Sequence, residues 1–159
     1  MKIEDEIKQQ KDFADIYERA VVNILFTSGW LYNLNASRLK QHDITPEQFN
    51  VLRILRGSYP KPMMLSEISC RMLDRSSNAT RLVEKLRQKG LVKREICADN
   101  RRQVDIMITE AGLGILTAID NGCQEWMNSV KGLTTTEAKE LNRILDKLRE
   151  NPTESLQTS

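Results

Sequence analysis

The fold is decided by residues 76–94, whose sequence is SSNATRLVEKLRQKGLVKR. In the first half of this segment, apolar side chains recur at positions i, i+3, i+4 and i+7, which is the spacing of one buried helix face. Gly90 ends the helical pattern, and from Leu91 onward the sequence favours a strand. The segment therefore predicts a helix to about Lys89, followed at once by a strand. The four apolar positions are Ala79, Leu82, Val83 and Leu86.

A shorter helix is predicted just before this one, from about Leu65 to Leu73. Asp74 or Ser76 is expected to cap the longer helix, because short polar side chains accept hydrogen bonds from the first free backbone N–H groups. The side chains of the short helix that are expected to face inward are Ile68, Met72 and Leu73.

A third helix is predicted to begin at Thr45, further upstream. Thr45 is a good N-cap, Pro46 suits the first helical position, and Gln48 can close a capping box. Gly57 is predicted to end this helix. Its buried positions are predicted to be Phe49, Leu52, Ile54 and Leu55.

Two strands are predicted after Gly90, over Leu91–Cys97 and Val104–Ile108, as a hairpin with a polar and doubly basic tip over residues 98–103. Two short helices joined by a tight turn and followed by a basic hairpin make a winged helix-turn-helix. We therefore predict a mainly α fold with a small β-hairpin wing, in which long helices flank the winged unit.

The flanking segment on the N-terminal side predicts one long helix from about Glu4 to His42, with a bend near Gly29 and apolar side chains on two faces. Residues 20–37 carry no charge, but they contain too many polar side chains to span a bilayer, so no membrane partner is expected. A helix that is apolar on two sides must be covered on two sides. We therefore expect it to be buried in protein and to reach a second subunit.

The flanking segment on the C-terminal side predicts two more helices. Thr109 is expected to cap the first, which runs to about Lys131, and a capping box at residues 134–137 starts the second, which runs to about Glu150. Residues 151–159 are predicted to be a flexible tail.

Basic charge is concentrated around the helix and hairpin described first. The whole chain has a net charge of +2, whereas residues 75–102 carry nine basic and three acidic side chains, a net charge of +6. The remaining residues sum to −4. A basic block in an otherwise acidic chain is typical of a protein with a polyanionic partner. A solvated basic face without a partner would have the same composition.

The pattern inside the block favours double-stranded DNA as that partner. The second helix of such a unit lies in the major groove, where small polar side chains approach base edges and Arg81 can pair with guanine. The adjacent Arg101 and Arg102 at the hairpin tip suit a narrow minor groove. The alternative for Ser76, Ser77 and Asn78 is a simple cap and turn. The predicted DNA-binding residues are Ser76, Ser77, Asn78, Thr80, Arg81, Lys85, Arg101 and Arg102.

Residues 44–112 resemble the MarR (multiple-antibiotic-resistance-regulator) family of bacterial transcription factors. The resemblance is carried by five stretches in a specific order and spacing, and with the flanking helices it covers nearly the whole chain. The stretches are ITPEQFNVL (44–52), LSEI (65–68), NATRLVEKL (78–86), KGLV (89–92) and ITEAG (108–112).

The resemblance implies a homodimeric transcriptional regulator, expected to be a repressor, that binds a palindromic operator. It divides the chain into an N-terminal dimerisation helix (1–43), the DNA-binding domain (44–109) and C-terminal dimerisation helices (110–150). Members of the family often bind small aromatic or phenolic effectors, and no cofactor is implied. The residues that could line such a pocket, or could be simple core, are Trp30, Phe49 and Trp126.

One position departs from the family pattern. The family's wing carries an Asp-x-Arg motif whose Arg corresponds to Arg102, but Asn100 occupies the Asp position here. Asp99, one residue earlier, is a candidate replacement. The departure puts the wing's internal ion pair in doubt, but not its minor-groove Arg.

Other function classes receive less support. His42 is the single histidine, so no nucleophile–His arrangement can be built without it, and no phosphate-binding glycine motif is present. We therefore predict no enzyme and no metal site. A thiol-based redox sensor remains an alternative, although Cys70 is expected to be a small buried hydrophobe. A winged helix used only for protein contacts is a further alternative.

Cellular location is also an expectation at this point. The first six residues are polar, which predicts no signal peptide. Three cysteines without a CxxC pair are typical of a reducing compartment, so the cytoplasm is expected.

Overall fold

The computed structural model describes residues 2–96, 104–122, 126–128 and 132–150. Two compact units divide the chain, Met1–Ile119 and Asp120–Ser159. Seven helices and three strands are described below by their order along the chain. The helices are α1 (Ile3–Glu6), α2 (Ile16–Leu39), α3 (Pro46–Ser58), α4 (Leu65–Arg71), α5 (Ala79–Gln88), α6 (Glu110–Asn121) and α7 (Thr135–Glu150), and the strands are β1 (Met63–Met64), β2 (Val92–Ile96) and β3 (Val104–Ile108).

The N-terminal segment is not one helix, and the prediction of a single helix from Glu4 to His42 is wrong. Lys8 has a positive φ of 54°, which ends helical geometry after α1. Asp15 then caps α2, because its side chain accepts a hydrogen bond from the backbone N–H of Tyr17 at 2.8 Å. Helix α2 is continuous through Gly29, from Ile16 to Leu39.

Helix α2 is also more exposed than predicted. Leu39 is its single buried residue, whereas the side chains of Tyr17 and Leu25 are 78% and 67% exposed. The expectation that this helix is buried in protein is therefore not met within one copy of the chain. No helix of the described residues is both long enough and apolar enough to cross a membrane.

Helix α3 begins as predicted. Thr45 and Gln48 form a reciprocal capping box, and Pro46 occupies the first turn. The helix ends at Ser58 rather than at Gly57, because Tyr59 adopts an extended ψ of 136°. The predicted buried positions Leu52, Ile54 and Leu55 are buried, whereas Phe49 is partly buried against the core.

The winged helix-turn-helix core is confirmed. Strands β2 and β3 pair as an antiparallel hairpin with Val92 opposite Ile108 and Ile96 opposite Val104. The sequence did not predict β1, which pairs with β3 and gives the sheet the order β1-β3-β2. The core of the first unit joins the C-terminal end of α2, helices α3, α4, α5 and α6, and the sheet. Its most deeply buried side chains are Leu39, Val51, Leu52, Leu55, Ile68, Leu86, Ile106, Ile108 and Leu116.

The last predicted helices differ in length from the structure. Helix α6 ends at Asn121, before Gly122, instead of continuing to about Lys131. Residues 126–128 are helical again. In the second unit, Thr134 and Glu137 form the predicted capping box at the start of α7. The predicted tail, residues 151–159, lies outside the described residues.

Candidate nucleic-acid interface

Helix α5 has one face in the core and one face in solvent. Ala79, Val83 and Leu86 are buried, and Leu82 packs partly against the same core. The opposite face lines a shallow surface depression. The residues around it are Asn78, Thr80, Arg81, Glu84, Lys85 and Gln88.

Two cationic side chains on this face make no polar contact with the residues that the structure describes. Arg81 and Lys85 are exposed, and neither side chain makes a hydrogen bond or ion pair with any residue that the structure describes. Both are therefore free to meet a polyanion. Thr80, one residue before Arg81, is exposed beside them.

The N-terminus of α5 differs from the prediction. The cap is Asn78, whose Oδ1 accepts a hydrogen bond from the backbone N–H of Arg81 at 3.0 Å. Asp74 and Ser76, the predicted caps, belong to the turn that precedes the helix. The amide nitrogen of Asn78 is not used by this cap, so the residue can cap the helix and still present a donor.

The carboxylate of Asp74 organises that turn. It accepts hydrogen bonds from the backbone N–H of Ser76 at 2.9 Å, from Ser76 Oγ at 2.7 Å and from Ser77 Oγ at 3.0 Å. These hydrogen bonds hold the pKa of Asp74 below its ordinary value, and the one from Ser76 Oγ contributes most. Both hydroxyl protons are therefore committed to Asp74, and the Ser76 and Ser77 oxygens are left as acceptors.

The same turn is attached to α3. The backbone N–H of Leu73 donates to Asn50 Oδ1 at 2.9 Å, while the Leu73 side chain is 90% exposed. The prediction that Leu73 faces inward is therefore wrong. Met72, with ψ of 142°, already has extended backbone, and this turns the next side chain outward.

The C-terminal end of α5 is fixed by three contacts. Gly90 has a φ of +72°, a conformation that glycine adopts without steric cost. Thr109 Oγ1 donates to the carbonyl oxygen of Gly90 at 2.7 Å, and Thr109 N–H donates to the carbonyl oxygen of Leu91 at 3.1 Å. Lys89 Nζ pairs with the carboxylate of Asp43 at 3.0 Å.

Close packing around residue 112 explains why this position is a glycine. A Cβ at Gly112 would lie 2.3 Å from the Leu91 carbonyl oxygen and 2.7 Å from Ile108 Cγ1. Helix α6 can therefore lie against the α5–β2 junction only if this position has no side chain.

One carboxylate lies among the cations of the exposed face. Glu84 accepts hydrogen bonds from Arg87, with Nη2 to Oε1 at 2.8 Å and Nε to Oε2 at 3.1 Å. Arg94 on β2 is 3.8 Å from Glu84 Oε2. The hydrogen bond from Arg87 lowers the pKa of Glu84, so this carboxylate is charged at neutral pH.

The structure describes both strands of the hairpin, but the residues of its tip lie outside the described ranges. Arg101 and Arg102, predicted to contact DNA, lie outside the described residues, as do Asp99 and Asn100. On β2, Lys93 Nζ pairs with Glu95 Oε1 at 2.6 Å.

The residues predicted to bind an effector are divided between the two units of the chain. Trp30 on α2 is 48% exposed. The Phe49 ring on α3 has the guanidinium carbons of Arg38 and Arg53 at 5.2 and 5.8 Å from its centroid. Trp126 belongs to the second unit.

Cys70 is exposed on α4, so the expectation of a small buried hydrophobe is wrong. Cys97 and Cys123 lie outside the described residues. Within the described ranges, no group of three or more His, Cys, Asp or Glu side chains is placed to hold a metal ion.

Several positioning residues were missed from the sequence. Asp74, Asn50 and Gly112 orient the exposed face without belonging to it, and Glu84 restrains two cations. Asn50, Glu84 and Gly112 each lie in a stretch that carries the family resemblance, and Asp74 was a candidate cap, but no pattern in the sequence indicated these contacts.

A helix-turn-helix with an antiparallel hairpin behind it and free cations on the outer face of its second helix defines a winged helix DNA-binding protein. A family model described as MarR family matches residues 44–104. The chain is 31% identical over 117 residues to the HTH-type transcriptional repressor IacR of Pseudomonas putida, across 72% of this chain and 69% of that protein. The chain belongs to the MarR family of transcriptional regulators.

Solved structures agree with this assignment. The MarR transcription factor of Planctomyces limnophilus has 26% identity and a TM-score of 0.66, over 85% of this chain and 98% of its own. The fold also matches that of S. aureus MepR in a complex with DNA, with 22% identity, a TM-score of 0.72, and coverage of 86% and 97%.

Proposed function

We propose that the chain is a homodimeric transcriptional repressor that binds a palindromic operator. The observation that carries the proposal is the exposed face of α5, where Arg81 and Lys85 have no partner among the described residues. In the major groove, Arg81 would pair with guanine and Lys85 would contact phosphate or a base. The names of its relatives, which include a repressor, favour repression.

Exposed apolar side chains support a dimer. Tyr17, Val21 and Leu25 of α2 are 78%, 52% and 67% exposed. In the second unit, α7 exposes Leu141, Ile144 and Leu148 at 45%, 49% and 52%. A contiguous exposed apolar surface marks a contact surface, and each helix carries such residues at helical spacing. The expected mass in solution is about twice 18.3 kDa. Light scattering that gives 18.3 kDa at micromolar concentration would contradict the dimer.

The operator is tested by footprinting on DNA upstream of the gene for this protein. The expected result is a protected region with two half-sites one helical turn apart, about 10 base pairs. Protection without symmetry, or equal affinity for every sequence, would contradict the proposal. Affinity that hardly changes with salt would favour the alternative of a winged helix used for protein contacts.

The wing is proposed to contact the neighbouring minor groove through Arg102, with Arg101 on phosphate. Arg102→Ala is expected to weaken binding most on operators with A·T-rich flanks, whose narrow groove concentrates negative potential. Arg101→Ala is expected to reduce affinity evenly across sequences. Reversed flank dependence of the two variants would exchange their roles.

A small aromatic or phenolic effector is proposed to bind near Trp30 and Phe49 of the first unit, and Trp126, in the second unit, is proposed as a separate candidate for effector binding. Titration with phenol and with benzoate should change the fluorescence of the two tryptophans and lower operator affinity. Trp30→Phe should remove the first effect in part. Operator affinity that is unchanged at saturating concentrations of both compounds would contradict an effector of this class.

A further inference from the structure

Glu84 is an acidic side chain on a face that is otherwise polar or basic. It lines the α5 depression together with Arg81 and Lys85. A free carboxylate there would repel the phosphates of any DNA that approaches. The described contacts show that this carboxylate is not free.

Cations from two elements share the Glu84 carboxylate. Arg87, in the last turn of α5, makes a two-point contact with both oxygens. Arg94, from β2, is within ion-pair distance of the second oxygen, and Gln88 Nε2 donates to the first at 3.4 Å. Glu84 therefore ties the recognition helix to the base of the wing.

We propose that Glu84 is a specificity-determining residue, because its carboxylate restrains Arg87 and Arg94 and so withholds their charge from DNA of arbitrary sequence. The proposal rests on the proposed function, since it concerns the same face of α5.

The two modes of binding depend differently on this restraint. Binding to arbitrary DNA is driven by phosphate neutralisation and depends on how many cations are available. Binding to an operator also depends on base contacts and therefore on a fixed geometry of helix and wing. A carboxylate that reduces the first and supports the second increases the ratio between them.

The test compares Glu84→Gln with wild type on two duplexes. One duplex is selected by the wild-type protein from a random library, and the other is a scrambled sequence of equal composition. Anisotropy titrations at several salt concentrations give the affinity and the salt dependence. One additional phosphate contact changes the logarithmic salt slope by about 0.9, which corresponds to about fivefold tighter binding at about 0.15 M salt.

The expected result is about fivefold tighter binding of the scrambled duplex, with a steeper salt slope, and no gain on the selected duplex. The ratio of the two affinities then falls about fivefold or more. Glu95→Gln is the matched control, because it makes the same charge change on β2, where Glu95 pairs only with Lys93 among the described residues. It is expected to change both affinities alike and to leave their ratio unchanged.

Two outcomes would overturn the proposal. If Glu84→Gln changes the affinity for both duplexes by the same factor, as Glu95→Gln is expected to do, the effect depends only on net charge. If Glu84→Gln weakens binding to the selected duplex and leaves binding to the scrambled duplex unchanged, Glu84 contacts a base directly, for example the amino group of cytosine. A wild-type protein that selects no sequence would instead contradict the proposed function itself.

Discussion

Replacement of Gly112 by Ala tests how helix α5 is held in place. The new Cβ would lie 2.3 Å from the Leu91 carbonyl oxygen, whereas ordinary contacts begin at 3.4 Å. The obstacle is backbone, so it cannot rotate away as a flexible side chain would. That oxygen also accepts the Thr109 N–H at 3.1 Å, so a displacement would weaken this hydrogen bond as well.

The magnitude follows from opposing contributions. Overpacking of this kind costs about 1–3 kcal/mol, and loss of one hydrogen bond costs about 1 kcal/mol. Replacing glycine by alanine inside a helix returns about 1 kcal/mol. We therefore expect Gly112→Ala to lower the free energy of unfolding by about 1–3 kcal/mol.

Gly114→Ala is the matched control in the same helix. A Cβ at Gly114 meets nothing within 4 Å, so only the gain in helix propensity applies, about 0.5–1 kcal/mol. Urea denaturation followed by circular dichroism, at one protein concentration because a dimer would make stability concentration-dependent, measures both variants. A Gly112→Ala protein as stable as the Gly114→Ala protein would refute the reasoning.

Three further predictions concern the exposed face and the turn before it. Arg81→Ala should weaken operator binding by about 1–3 kcal/mol and relax selectivity at one base position, measured by titration of single-base operator variants; unchanged selectivity would exclude it as a base reader. Lys85→Met should reduce the salt slope of DNA binding by about 0.9, whereas Lys89→Met should leave it unchanged because Asp43 already pairs with Lys89; equal slopes would contradict this division. Asp74 has a lowered pKa when folded, so its contribution to stability is present above its ordinary pKa of about 3.8 and is lost as the pH falls through the folded value. The stability difference between wild type and Asp74→Asn should therefore shrink below about pH 4 in urea titrations, and a difference independent of pH would show that the ionised form does not matter.

The local elements of the winged helix-turn-helix could be predicted because their signals are contained in a few adjacent residues. The Thr45 capping box, the apolar stripe of α5 and the stop at Gly90 all depend on neighbours within one or two helical turns. The β2–β3 hairpin has the same advantage, since its strands are close in sequence. Each of these features was confirmed.

The features that were missed depend on contacts and backbone angles between which the sequence pattern does not discriminate. Asp15 and Asn78 are caps because each satisfies a particular N–H group, yet Asp74 and Ser76 were equally good candidates by type. Strand β1 has two residues, Met63 and Met64, too few to show a period, and its partner on β3 is distant in the chain. Exposure of Leu73 depends on the backbone of the preceding residue, which composition does not reveal.

The placement of α5 depends on residues that do not belong to its exposed face. Asn50 holds the turn before the helix, Asp43 holds Lys89 at its end, and Thr109 holds Gly90 just beyond it. All three contacts are made with α3, α6 or the segments directly next to them, so a shift of either helix would move α5 as a unit. Tyr32 of α2 donates to Glu47 of α3 at 2.9 Å, which extends the same chain of contacts to the helix that carries Trp30. Because packed elements move between discrete arrangements rather than deform gradually, we expect an event that displaces α2 from α3 to shift the exposed face of α5 as well.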